Sequence, residues 1–324
     1  MKNKKIYLIG LTLVLVLLVV ISAVMPKNYE TTVTQKLDTP INVAFNAVLD
    51  FYSLPLWSHR FQKDTFTYNN NISQEAIIKN ELKHADGVFR LIASNSNDSI
   101  LIYDEGMNKK TTSYNYKFLN KEQTFVEVTG KGKSGFITNL WNFGHKMKLR
   151  RVMRKDIKRL NELISERTNN NIYHGYEIKP VSMPDKYFIT KKAHVKSENI
   201  TDFYKQNLAS LYQSALNDNL AINGPPVLMR YGMPENSHHE IAVGLPTLSE
   251  VSLKNSTNEV LPSKMAYQIV HTGQSTHTQK VHHAMQAFFK DKDLEILYPI
   301  LEEFPGESSE SDSKSVINIV YYFK

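Results

Sequence analysis

Six of the eleven histidines fall within 46 residues: His238, His239, His271, His277, His282 and His283. Neutral imidazole is a zinc ligand, but two ligands on one helical face need a spacing of three or four. His277 lies five and six residues before His282 and His283, and adjacent histidines point apart. No metal site is expected, and packing is the reading for His277. Cysteine is absent, which excludes disulfides, thiolate metal sites and a cysteine nucleophile. The chain has no Gly-x-Ser-x-Gly elbow, phosphate loop, dinucleotide fingerprint or His-Glu-x-x-His. No catalytic residue and no cofactor is assigned, although a site assembled across strands would leave no local motif.

The densest charge is basic. Lys146, Lys148, Arg150, Arg151, Arg154, Lys155, Lys158 and Arg159 fall within 14 residues, with Asp156 the single acid among them. Such a run is either a solvated helix face or a contact with anionic lipid head groups, where each basic residue contributes about 1 kcal/mol. The lipid reading takes Lys148, Arg151, Lys155 and Lys158. Met1 to Asn171 holds 25 Lys/Arg against 15 Asp/Glu, and Ile172 to Lys324 holds 14 against 17. The first half therefore carries +10 and the second −3, which sum to the net +7. That split does not suit a nucleic-acid-binding molecule, and no nucleic-acid partner is expected.

The elements that position these residues begin with an apolar run. Ile6 to Val24 is 19 residues without a charge, about 28 Å as a helix and close to the hydrocarbon thickness of a bilayer. Lys2, Lys4 and Lys5 precede it and Lys27 follows, a bias that places the N-terminus on the cytoplasmic side. A cleaved signal peptide fits less well, because the apolar region is long and no good small-x-small site follows it. The expectation is a single-pass anchor, residues 6–24, in a bacterial cytoplasmic membrane, with the soluble domains on its outer side.

A chain of 324 residues and 37.2 kDa implies about two domains. Residues 29–167 form the first. Tyr29–Leu37 reads as a strand, Asp38-Thr39-Pro40 as a capped helix start, and the helix after it buries Val43, Ala44, Ala47, Val48 and Phe51. Strand patterns follow at Ile72–Leu82, Val88–Ser94, Ser99–Tyr103, Thr111–Leu119 and Thr124–Gly130. A long helix closes the domain, its stripe Leu149, Met153, Ile157, Leu160 and Ile164 at helical spacing. A sheet wrapped on that helix would enclose an apolar cavity.

Residues 168–175, opening with Thr168-Asn169-Asn170-Asn171, read as a linker. From residue 176 onward a strand–helix–strand–strand pattern is written twice. Its first copy is Tyr187–Val195, Ile200–Leu220, Pro226–Tyr231 and Glu240–Leu245. The second is Met265–His271, Thr276–Lys290, Leu297–Phe304 and Val316–Phe323. Such a duplication brings two half-sheets together around a pseudo-twofold cleft. The expected class is α+β throughout.

Two resemblances attach to these residues. TPINVAFNAVLDFYSLPLWS resembles the opening of the polyketide cyclase/START-like (SRPBCC) superfamily of helix-grip domains, which implies a hydrophobic ligand pocket but no fixed catalytic set. Trp57 and Trp141 would line its mouth. ENITDFYKQNLASLYQSALNDNLAINGPPVLMRY with EIAVGLPT resembles the gyrase-inhibitor-like, or AraC-type, effector-binding domain, with Gly224, Pro225, Pro226, Tyr231, Gly244, Leu245 and Pro246 at matching places. The second copy departs from that pattern at Ser275, Phe304 and Pro305-Gly306. This resemblance makes Glu302 the pocket acid. A carboxylate in an aromatic cleft needs a partner; a cationic ligand would supply one, and Tyr231, Tyr204 or Phe304 would add cation–π attraction. Strand alternation lets only one of Glu302 and Glu303 enter that cleft. The expected function is a membrane-anchored, non-enzymatic protein that senses or sequesters small hydrophobic, amphipathic or cationic molecules. The alternatives are a cyclase-like or hydrolytic enzyme and a lipid-binding or lipid-transfer protein.

Overall fold

The computed structural model describes residues 10–14, 16–17, 19–21, 28–59, 67–68, 81–84, 87–95, 98–106, 111–119, 124–133, 142–232, 238–251, 253–254, 256–273, 278–305 and 315–324. It divides into two compact units, Met1–Ser165 and Glu166–Lys324. The described residues of the N-terminal apolar run are helical. Among the described residues no helix is long and apolar enough to cross a membrane.

The first unit opens with β1 (Asn28–Leu37) and two short helices, α1 (Ile41–Leu49) and α2 (Leu54–Trp57). Six strands follow: β2 (Thr67–Tyr68), β3 (Glu81–His84), β4 (Gly87–Asn95), β5 (Ser99–Gly106), β6 (Thr111–Leu119) and β7 (Thr124–Lys133). They form one sheet in the order β1-β7-β6-β5-β4-β3-β2, every pair antiparallel. The expected strand Ile72–Leu82 lies outside the described residues up to residue 80. Asp38 does not cap α1: Pro40 holds that place without a side-chain bond, and Asp38 is exposed beside Lys36 at 3.5 Å.

A long helix, α3 (Asn142–Asn170), closes this unit and continues past its boundary. Its predicted stripe of Leu149, Met153, Ile157, Leu160 and Ile164 is buried against Val33, Ile100, Ile102, Tyr114, Tyr116, Phe118, Val126 and Val128 from the strands. Each fully buried aliphatic of that stripe contributes about 1.5–3 kcal/mol. Gly130 on β7 is what lets the helix approach. A Cβ there would lie 2.8 Å from Met153 Sδ and 3.0 Å from Leu149 Cδ2. Trp57 is 1% exposed and meets the Tyr116 ring edge-on at 6.3 Å. It therefore belongs to the interior and not to a solvent-facing mouth; Trp141 lies outside the described residues.

The expected linker is structured. α3 runs to Asn170, and Asn171 ends it with a φ of 51°, a left-handed conformation that asparagine tolerates. A two-stranded ribbon, β8 (Ile172–Tyr173) and β9 (Tyr176–Glu177), follows.

The second unit is an eight-stranded sheet with two helices. In chain order it holds β10 (Lys179–Met183), β11 (Lys186–Lys196), α4 (Ile200–Asn217), β12 (Val227–Arg230), β13 (His238–Thr247), β14 (Thr257–Leu261), β15 (Lys264–Gly273), α5 (Thr278–Asp291), β16 (Ile296–Glu303) and β17 (Ser315–Phe323). The strand order is β10-β15-β17-β16-β12-β13-β11-β14. Read from either edge inward, the two copies of strand–helix–strand–strand occupy equivalent places and meet where β12 pairs antiparallel with β16. Each edge strand is exchanged. β10, which precedes the first copy, pairs with β15 of the second, and β14, which precedes the second, pairs with β11 of the first.

Both faces of this sheet are apolar. On one, α4 packs on Ile189, Leu228, Ile241, Val243 and Leu245, and α5 packs on Ile269, Ile300, Ile317, Ile319 and Tyr321. On the other, Met183, Phe188, Val227, Met229, Ala242, Leu261, Ala266, Leu301, Val320 and Tyr322 are buried together, with at least one residue from every strand and none from a helix.

Candidate functional site

The centre of the second sheet carries its chemistry. Along β16, Ile300 and Glu302 face the helices, while Leu301 and Glu303 face away. In register they oppose β12 as Val227 to Glu303 and Leu228 to Glu302. Each carboxylate of the second copy therefore lies across from an aliphatic side chain of the first.

Glu302 is 3% exposed, on a central strand and not an edge. Its Oε1 accepts hydrogen bonds from Arg230 Nε and, at 2.9 Å, lies beside His282 Nε2. His282 comes from α5, and its Nδ1 is 2.8 Å from the Tyr321 hydroxyl of β17. Arg230, the last residue of β12, also reaches His239 Nδ1 at 3.5 Å, and His239 Nε2 lies 2.9 Å from Ser197 Oγ. A continuous polar chain therefore runs Ser197–His239–Arg230–Glu302–His282–Tyr321, from the turn before α4 through one residue each of β13, β12, β16, α5 and β17.

Burial on its own would raise the Glu302 pKa. The Arg230 guanidinium and the His282 hydrogen bond more than offset that and hold the carboxyl at about 2. Burial first, then the Arg230 charge, pushes His239 below its ordinary value. Burial and the Glu302 charge push the Tyr321 hydroxyl well above the ordinary tyrosine range.

Predicted partners of Glu302 separate. Phe304 packs against the apolar clusters under both helices, and Tyr204 of α4 lies 4.9 Å from its ring. Those two share the helix-covered face with Glu302. Tyr231 packs on the opposite face, with Lys192 Nζ 3.4 Å from its ring centroid. Its hydroxyl is raised by burial, then by Glu259. Glu303 is also on that face, 6% exposed and ion-paired with Lys186. Glu302 and Glu303 thus take opposite faces, as strand alternation requires, and both are buried, each with its own cation. Nearby, burial and the Glu303 charge push the Tyr322 hydroxyl up to about 12.

The Gly-Pro-Pro motif has a positional reason. Gly224 takes a φ of +128°, open to glycine, and the Pro226 carbonyl accepts the Phe304 N–H at 3.0 Å. That bond fixes the chain just beyond Glu302.

No family model matches the chain, and no curated protein does. Solved structures similar to it include the EcmrR C-terminal domain, at 10% identity over 46% of this chain and 98% of that one, with a TM-score of 0.42. Another is SAV2435 bound to tetraphenylphosphonium, at 12% identity over 46% and 94%, with a TM-score of 0.32. A hydrolase from Listeria innocua matches at 9% identity over 45% and 91%, with a TM-score of 0.34. Likenesses this distant assign neither family nor ligand, so the site is read from its own geometry.

That geometry provides a buried charge and a chain of hydrogen-bonding groups beside it. Tyr321 stays protonated and donates or accepts a hydrogen bond. Glu302 is an ionised acceptor whose second partner, His282, is held by a hydroxyl behind it. Arg230 and His282 keep 16% and 14% of their side-chain surface exposed, so the pair is reached from solvent on its cationic side. Sequence reading missed Arg230 and His282 as partners of Glu302. The available signal was a lone cation ending the apolar strand VLMR.

Proposed function

We propose that the second unit is a small-molecule-binding module of gyrase-inhibitor-like type, with Glu302 as the floor of its site and Tyr204 and Phe304 as its aromatic wall. The observation that carries this reading is the ionised, fully buried Glu302 at the junction of the two copies, facing the helices and held by a cation that solvent can reach. A lipophilic cation binds here by taking the place of the Arg230 guanidinium, because a buried carboxylate must keep a partner. The first unit, by its order of strand, helices, strands and long helix, is read as a START-like helix-grip domain. Residues 6–24 tether both units to a bacterial cytoplasmic membrane.

The test uses tetraphenylphosphonium as probe, with affinity measured by calorimetry on the full chain in neutral nanodiscs. Glu302→Gln is expected to reduce affinity at least tenfold. Arg230→Met, which removes the competing guanidinium, is expected to raise affinity, and the probe should recover part of that variant's lost Tm. Unchanged affinity in both variants would remove Glu302 from the site.

A further inference from the structure

The first half of α3 breaks a rule of helix electrostatics: like charges three or four apart repel. Yet Lys146, Lys148, Arg150, Arg151, Arg154 and Lys155 crowd the N-terminal half and Lys158 follows just past the midpoint, all exposed. Lys158 reaches Glu162 at 3.8 Å. Among the described residues none of Lys148, Arg150, Arg151, Arg154 and Lys155 has an acidic partner. The one acid in the run, Asp156, is turned inward, where its carboxylate accepts the His59 N–H at 2.7 Å. At 3.6 residues per turn the buried stripe covers about 100° of the helix; Lys148, Arg151, Lys155 and Lys158 lie opposite it, and Arg154 lies on its flank. The fold thus presents a self-repelling cationic face on which, among the described residues, Lys158 alone has an acidic partner.

Topology says what lies near that face. β1 begins at Asn28, paired with Lys133 at the end of β7. Leu149 of α3 packs over Gly130, which pairs with Thr31. The basic half of α3 therefore lies at the end of the sheet where the chain enters from the apolar run. Six residues separate the helical residue Ile21 from Asn28, a reach of at most about 25 Å. Leu11, Leu13, Val14, Val16, Leu17, Val19 and Val20 of that run are each more than half exposed.

We infer that the α3 face formed by Lys148, Arg150, Arg151, Arg154, Lys155 and Lys158 docks on an anionic phospholipid bilayer, with the β1 entry end of the first unit against the membrane. The apolar run supplies tethering, and the cationic face supplies orientation and lipid selectivity. Exposed Met147, 51% accessible, lies at the edge of this face and enters the head-group region. The inference rests on the tether reading of residues 6–24. That reading fails separately, by the chain leaving neutral discs.

The chain has no cysteine, so Met147→Cys carries a single environment-sensitive fluorophore. The labelled full chain is placed in nanodiscs of phosphatidylcholine alone, and of phosphatidylcholine with one-third phosphatidylglycerol. A blue shift is expected in the anionic discs only, reversed by about 1 M salt, where the Debye length falls to about 3 Å. Combining Arg150→Gln, Arg151→Gln, Arg154→Gln and Lys155→Gln should abolish the shift while leaving Tm unchanged or raised, because repulsion is relieved. Replacing Arg150, Arg151 and Arg154 by lysine should keep it. Equal emission in both lipids, or a shift that survives the glutamine substitutions, overturns the inference. So does a duplex oligonucleotide that draws the response in preference to anionic discs, which would assign the face to nucleic acid.

Discussion

At the scale of single residues, the second unit stakes stability on one proton. Glu302 has an ordinary value of 4.5 and is held at about 2 in the folded chain. A depressed folded value means that its contribution is fully present above pH 4.5 and is lost as pH falls from there toward 2. The size is on the order of 3 kcal/mol at neutral pH. Urea unfolding of the second unit, followed from pH 6 to about pH 2, should therefore show a loss of stability in that window. Glu302→Gln, uncharged throughout, should be less stable than wild type at neutral pH and should lack this component. Parallel pH curves for the two proteins would mean that Arg230 and His282 do not hold the charge. Nothing local in the sequence announces this arrangement. Arg230 and Glu302 are 72 residues apart, and His282 and Glu302 are 20 apart on different elements. Only strand register brings them together.

Among the elements, α3 decides where the second unit starts. Its last turn carries Arg167, whose Nη1 lies 3.6 Å from Asp291 Oδ2 at the end of α5, both side chains 1% exposed. The guanidinium also lies 5.0 Å from the Tyr173 ring centroid. A cation there, in the last turn, agrees with the macrodipole. Arg167→Ala leaves Asp291 buried without that partner and should cost about 3–5 kcal/mol in urea unfolding. Arg167→Met together with Asp291→Leu should recover most of it, because apolar replacements of similar volume satisfy the same space. Equal losses in the single and double variants would show that the pair is not coupled. The polar run Thr168–Asn171 reads as a linker because composition alone cannot reveal that Arg167, one residue earlier, is a buried anchor. The long elements were legible, since their periodicity is sustained: α4, α5 and strands β11, β13, β15, β16 and β17 begin and end within about three residues of the pattern. β10 and β14 were not. Each has five residues, and KPVSM and TNEVL give no alternation long enough to read.

Those two short strands carry a consequence for the whole second unit. β10 leads into β11 along the chain but pairs with β15, and β14 leads into β15 but pairs with β11. Neither copy of strand–helix–strand–strand owns the strand that covers its outer edge. The apolar layer away from the helices draws on all eight strands, so half of the sheet would expose the apolar side chains that the other half buries. The central pairing compounds this. Val227–Arg230 contacts Ile300–Glu303, and Arg230 would lose Glu302. A fragment spanning residues 166–251 should therefore show no cooperative unfolding transition by circular dichroism. The same fragment produced together with residues 253–324 should regain one, along with the Glu302-dependent pH response. A cooperative transition in the isolated first copy would mean that each half is a domain in its own right, merely docked to the other. The ionised carboxylate at their junction would then lie between partners free to separate, and the binding site proposed there would be a hinge instead of a fixed floor.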